Sequence, residues 1–461
     1  MRRRDSDLSA APRGLARRAL RRGVASRRLT ARLLLLAGVI GLGLGTTVSA
    51  LRPEPFGVVV ADGRPELLMD FASHRGFACA AWSGDLAHAG GASIYTLDAH
   101  LKATERWTGL PAWIALPFGY SPTMLWVLGP LCTLPARWSY GAWSLACVLA
   151  MGWMILRARV HWVALLLLVT PLTVYAFALG QTALLTTAGL FFLMVRDAEG
   201  VGGRSPASWR ESLVLWLLTA KPPIAATAGL ALLVRGRGGS VARAIGVTLV
   251  TTLALTPWLG TGWARDYLHL LGSYDRVGLP AAFAWSVVPQ SMSNFRAALH
   301  PDLGLGDDVA ARLSTIVWSA SLATILLAAW RRPLPAGPTW ALCIMTYLLL
   351  CPHVSSTEDV ALFCVLAGME GDRVPRTLRN GAATLAVVGL LLTPAIGPAA
   401  GRRPPVLFFA KSGLMAYVLL AGGFLSAREA GGSRPEPGAS GTRPDSCQES
   451  VTSSREPRPS P

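Results

Sequence analysis

The sequence predicts an all-α protein that crosses a membrane many times, and three observations predict it. Hydrophobic residues make up 52% of the chain and charged residues only 15%, a balance that a water-soluble protein would have to carry as exposed apolar surface. Run after run of about 15 to 20 residues holds almost no charge, the length at which a helix crosses roughly 30 Å of hydrocarbon with its backbone bonded internally. The net charge of +17 gathers in arginines of the N-terminal tail and of short segments between apolar runs, the distribution expected of cytoplasmic loops. No basic stripe is interleaved with exposed aromatics, which argues against a nucleic-acid partner.

The elements follow in order. Residues 1–31 read as a basic cytoplasmic tail that holds the N-terminus inside the cell. Arg32 to Leu51 is a first membrane helix; Val48-Ser49-Ala50 resembles a small-residue cleavage site, but the run is long for the apolar part of a signal peptide. Gly41, Gly43 and Gly45 inside it suit close helix packing better than phosphate binding. Residues 52–111 form a first, extracytoplasmic loop rich in Asp, His, Glu and Arg, with Trp82, Trp107 and Trp113 suited to an amphipathic layer at the membrane surface.

Further apolar runs lie near 112–134, 139–156, 161–179, 181–195, 212–234, 242–259, 311–330, 338–350, 357–369, 380–400 and 406–426, so about 11–13 spans are expected in a transmembrane domain covering 32–426. Lys221-Pro222-Pro223 interrupts one run and predicts two half-helices there, because proline removes a backbone donor and clashes with the preceding turn. Keeping Arg157/Arg159 and Arg235/Arg237 all in the cytoplasm breaks simple alternation, so at least one run must dip and return. Residues 260–308 read as a second polar loop and 427–461 as a disordered tail. Seven cysteines (Cys79, Cys132, Cys147, Cys343, Cys351, Cys364, Cys447) show no CxxC pair and lie mostly in apolar runs, so neither a metal site nor a disulfide framework is expected.

The chain carries no Walker loop, dinucleotide fingerprint, HExxH or nucleophile elbow; no cofactor is expected, and an enzyme here would draw its donor from the membrane. It does carry an ordered series: Asp70-Phe71, Gly90-Gly91-Ala92-Ser93-Ile94-Tyr95, Phe118-Gly119-Tyr120-Ser121-Pro122, Leu134-Pro135, Gly180-Gln181, Lys221-Pro222-Pro223 and Gln290-Ser291. This series resembles glycosyltransferase family 87, polyprenol-phosphate-mannose-dependent mannosyltransferases and related proteins of the GT-C fold. Three departures stand out. Tyr120-Ser121-Pro122 replaces a Tyr-Pro-Pro, Ser73 and His74 stand where tyrosines usually follow the Asp-Phe, and one histidine, His353, stands where two are usual.

The resemblance implies a GT-C-like helical bundle with a large first outer loop, in the plasma membrane. It implies transfer of a sugar, mannose first, from a polyprenyl-phosphate donor to a lipid or glycan acceptor at the outer face. Such transfer needs a carboxylate to take the acceptor's proton, cations to meet the departing phosphate and an apolar groove for the lipid. Asp70 matches the family's first-loop acid and is the candidate base, with Asp85 in reserve. His353, Arg265, Arg296 and Lys221 are candidates for the phosphate; Asp85, Tyr120, Gln181 and Gln290 for sugar or acceptor. Each has a plainer reading: Lys221 as a helix-end cap, the arginines as interface residues, His353 as a loop histidine, the glutamines as helix-packing groups, and Tyr120 with Trp113 as interfacial anchors. A transporter or flippase, or a non-catalytic envelope-assembly protein, are the competing functions.

Overall fold

A computed structural model describes residues 11–50, 60–61, 64–65, 69–85, 93–108, 118–158, 160, 162–199, 208–260, 262–273, 294–331, 335–354, 356–369, 376–392 and 406–431. Among these the regular structure is helical apart from one two-residue pairing of Val60–Ala61 with Arg64–Pro65. The chain is an all-α, multi-pass membrane protein. Helix α1 spans Ala11–Ala50; α2 (Met69–Trp82) and α3 (Leu97–Thr108) follow, then α4 (Thr123–Leu128) and α5 (Ala136–Arg157). Next come α6 (Trp162–Leu165), α7 (Pro171–Leu179), α8 (Ala183–Glu199), α9 (Trp209–Leu218), α10 (Pro222–Val234) and α11 (Gly238–Leu259). The remainder are α12 (Trp263–Ser273), α13 (Phe295–Ala297), α14 (Asp307–Arg331), α15 (Ala336–Leu350), α16 (Leu362–Gly368), α17 (Arg376–Leu392) and α18 (Val406–Gly431).

Among the described residues four helices are long and apolar enough to cross a bilayer alone: Leu29–Val48 in α1, α5, α11, and Asp307–Ala329 in α14. They leave large apolar side chains such as Leu34, Leu149, Leu253 and Ile316 uncovered, the surface that lipid covers at no cost. Several other apolar runs fold as shorter helices, such as α10 with 13 residues and α15 with 15. The chain bends by 119° between Val163–Leu179, which ends in α7, and α8, a broken span or re-entrant pair. α1 lies along α5, and Gly43 permits it: a Cβ there would sit 2.2 Å from Val148 Cγ2, whereas Gly41 and Gly45 face open space. Of the three glycines only Gly43 does the packing the sequence suggested.

The helices sort the charged groups to two ends. At one end, the tips of α5, α8 and α10 and the starts of α9 and α11 bring arginines onto buried acids. Arg235 reaches Asp197 at 2.9 Å, Arg237 reaches Glu211 at 3.0 Å, Ser240 donates to Glu211 at 2.8 Å and Trp340 donates to Asp197 at 3.1 Å. Arg157 and Arg196 both pair with Glu199, and Arg32 of α1 reaches carbonyls at the end of α5. At the opposite end lie α2, α3, α4, α12, the α7–α8 break and the α9–α10 break.

The described part of the run 112–134 is too short to cross alone. Its helical part, Thr123–Thr133, is held at the second end from start to finish: Ser121 donates to Thr219 O at 2.6 Å, Trp126 to Thr251 O at 3.1 Å, and Arg75 to Leu134 O at 2.6 Å. With that helix returned to its own side, α5 descends to Arg157, which falls at the same end as Arg235 and Arg237.

Several expectations need correction. The first loop contains two helices the sequence did not single out, α2 and α3, with α3 burying Ala99, His100 and Ala103 while exposing Asp98, Lys102 and Arg106. α1 is already helical from Ala11, inside the expected tail, since Ala, Arg and Leu are good helix formers; α18 runs to Gly431, past the expected boundary at 426. Cys79 of α2 and Cys132 of the 3-10 turn after α4 form a disulfide across 53 residues, with Cα atoms 5.3 Å apart. Their spacing carries no signal because the pairing depends on α2 being laid over that turn. Trp113 and Gln290, with most of 427–461, lie outside the described residues.

Candidate functional site

Local sequence explains why the motifs meet. Lys221 precedes Pro222, and a residue before proline is driven out of the α region; Lys221 is accordingly extended (φ −122°, ψ 89°), and Pro222 opens α10 at the position where its missing N–H is harmless. α9 and α10 thus form a hairpin with Lys221 at its tip. At 13 residues α10 rises about 20 Å, less than the roughly 30 Å of a hydrocarbon core, so the tip stops short of the far surface. Gly180 ends α7 in the left-handed region (φ 69°), its N–H and that of Gln181 returning to carbonyls of the last turn. There Phe71 presses on it: a Cβ on Gly180 would sit 2.4 Å from Phe71 Cβ. The Gly-Gln motif therefore serves as the seat for the Asp-Phe motif.

Asp70 occupies the first turn of α2, where a helix N-terminus favours negative charge. Its side chain is 3% exposed and makes no hydrogen bond or ion pair among the described residues. Burial raises its pKa from 3.8 to about 7, with the positive charge of Lys221 pulling the other way. Arg75, on the same helix, anchors α2 by donating to Ser139 Oγ at 3.0 Å and to Leu134 O. His74, one turn beyond Asp70 and so on the same face, stands edge-on to Tyr120 with ring centres 4.7 Å apart. Burial, Lys221 and His100 lower its pKa to about 3, which keeps it neutral near pH 7; among the described residues its buried Nδ1 has no hydrogen-bond partner.

Tyr120 is held from three sides. Its hydroxyl is 3.1 Å from Thr182 Oγ1, its carbonyl accepts from Tyr95 at 3.2 Å, and Lys221 Nζ lies 5.8 Å from its ring centre. Lys221 pairs with Glu358, whose other oxygen accepts from Tyr347. The next residue, Asp359, is fully buried and pairs with Lys411 of α18 at 2.9 Å. Among the described residues no group of three or more His, Cys, Asp or Glu side chains is clustered as metal ligands are.

The predicted residues divide. Asp70, Tyr120 and Lys221 come together, and Gln181 lies half-buried beside Thr182. His353 is exposed, two residues after Cys351, whose carbonyl accepts from Asn294 at 2.8 Å. Arg296 is buried in a two-pronged pair with Asp307, at 3.0 and 2.6 Å. Arg265 is 86% exposed beside Asp266. Asp85 accepts from Trp107 at 3.2 Å and lies near Arg106. Sequence reasoning missed His74, Tyr347, Glu358, Asp359 and Lys411. A usable signal existed for the last three: of three lysines in the chain, Lys411 lies inside an apolar run, as do Glu358 and Asp359, and ionisable residues at membrane depth are costly enough to need a purpose.

A sequence model of glycosyltransferase family 87 matches residues 118–352, taking in Tyr120, Gly180-Gln181, Lys221 and Pro352 and beginning after Asp70. No curated protein and no solved structure matches the chain. With half of its length under that match and Asp70, Tyr120, Gly180 and Lys221 gathered at one end of a helical membrane bundle, the chain belongs to glycosyltransferase family 87 and is a membrane glycosyltransferase.

Proposed function

We propose that the protein transfers a sugar, mannose in the first instance, from a polyprenyl-phosphate donor to a lipid or glycan acceptor at the outer face of the plasma membrane, with Asp70 as general base. The observation that carries this reading is a buried carboxylate, Asp70, that makes no hydrogen bond or ion pair among the described residues and feels the charge of Lys221 at the tip of a half-length hairpin. An acceptor hydroxyl beside Asp70 gives up its proton to the carboxylate as its oxygen bonds the sugar's C1. The bond from C1 to the phosphate oxygen breaks with inversion, and the polyprenyl phosphate leaves with its charge. Lys221 is the first candidate to meet that charge, with His353, Arg265 and Arg296 as further candidates; Tyr120, Gln181, Gln290 and Asp85 are candidates for sugar or acceptor.

Two independent features support an outer location. The arginine-rich end is the one the positive-inside rule puts in the cytoplasm, with the N-terminal tail, and the Cys79–Cys132 disulfide at the site's end suits an oxidising compartment. Purified protein supplied with polyprenyl-phosphate mannose and a membrane lipid extract should yield a mannosylated product, and a nucleotide-sugar donor should yield none. Transfer from the nucleotide sugar, or vesicle uptake without any transfer, overturns the reading. Gly180→Ala should cut transfer at least about tenfold while the protein still inserts, because the strained backbone and the Phe71 contact shift Asp70, and misplacement of a reacting group by about 1 Å costs on that order or more.

A further inference from the structure

Lys221 has two acids to choose between. Asp70 feels its charge, yet the ion pair is made with Glu358. Glu358 is itself fixed: it is 2% exposed, takes the Tyr347 hydroxyl on its second oxygen and sits in a 3-10 turn, Ser356–Ala361. That turn's three residues per cycle point neighbouring side chains in different directions. Asp359, the neighbour, is locked to Lys411 of α18 and cannot follow Glu358 toward the site. Both oxygens of Glu358 are therefore committed, and the lysine is held by a braced acid.

We propose that Glu358 is a positioning residue for the transfer: by holding Lys221 to itself, it keeps the lysine from closing onto Asp70 and so leaves the Asp70 carboxylate open to an incoming hydroxyl. The proposal rests on Asp70 being the base. A Lys221–Asp70 pair would occupy the carboxylate's lone pairs and stabilise its charged form, weakening it as a proton acceptor. Held by Glu358, Lys221 still lends Asp70 a distant positive charge without covering it. The other titratable groups on elements packed against α2 leave this arrangement untouched. His74 and His100 are buried and neutral near pH 7. Asp98, Lys102 and Arg106 of α3 are exposed, the first two paired with each other. Tyr120 lies under Lys221, α7 brings only Tyr175, and the charged residue of α11, Arg243, is at the far end.

The test is the pH dependence of kcat/KM for sugar transfer by the full-length protein. Wild type should lose activity as pH falls through about 7. In Glu358→Gln the released Lys221 turns to Asp70, so the acidic limb should move down by about one pH unit or more and the plateau rate should fall at least about tenfold. In Lys221→Met the limb should move up. Should Glu358→Gln fail to accumulate in membranes, Glu358→Asp, which draws the carboxylate back by one methylene, should shift the limb the same way by less. A limb that stays at the wild-type position in the glutamate variant, or one that moves up, overturns the proposal. An active Asp70→Asn would instead defeat the reading of Asp70 as base.

Discussion

Asp70→Asn is expected to lower kcat for sugar transfer by a factor of about 10² to 10⁴, the usual contribution of a positioned general base, while the protein inserts and folds normally. The amide fits the same space but has no lone pair basic enough to take the acceptor's proton. The wild-type profile tells the same story from another side. Because burial lifts the Asp70 pKa to about 7, the carboxylate is largely protonated at pH 6, so activity should rise with pH through neutrality and level off above it.

Stability should run the opposite way. A carboxyl whose pKa is higher in the folded state than its ordinary 3.8 costs nothing below that value and its full penalty above about 7, where the folded protein carries a buried anion. At about 1.4 kcal/mol per pH unit the penalty is on the order of 4 kcal/mol. Asp70→Asn should therefore melt several degrees above wild type at pH 8, with the difference gone at pH 4. Loss of transfer together with a gain in melting temperature at high pH is the signature of strain kept for function; equal melting curves at pH 8 would mean that Asp70 is solvated.

How much of this was legible beforehand follows from what each signal depends on. Lys221-Pro222-Pro223 announced a break because proline acts on its own backbone, and the hairpin of α9 and α10 is that break. Charge placement separated the two ends of the bundle, since arginines at loops report sidedness whatever the helices do. What stayed hidden depends on tertiary pairing. Cys79 and Cys132 look like small apolar residues until α2 is laid over the turn after α4. The run 112–134 has the composition of a span, yet tertiary bonds to Thr219, Thr251, Arg75 and Trp82, with the disulfide, hold its helix Thr123–Thr133 at one end. Glu358 was hidden in another manner, because a run averaged for hydropathy conceals two adjacent acids among eleven neighbours.

Lys411→Met is the substitution expected to harm the fold most. Lys411 and Asp359 are both fully buried, and Lys411 also donates to the carbonyl of Leu348 at 2.9 Å, so α18 is tied to α15 and to the turn that carries Glu358. Two ions out of water are tolerable when each answers the other; removing one leaves a buried charge and should destabilise the protein by about 3–5 kcal/mol. The paired change Asp359→Asn with Lys411→Met removes both charges and should recover most of that loss, which separates the cost of a stranded charge from the worth of the pair. Thermal unfolding in detergent reads the stability, and a Lys411→Met protein that melts with wild type would show that Asp359 finds water or a proton at no cost. The single variant should also lose transfer beyond its loss of fold, because a loosened Asp359 frees the turn that braces Glu358, and through it the lysine facing Asp70.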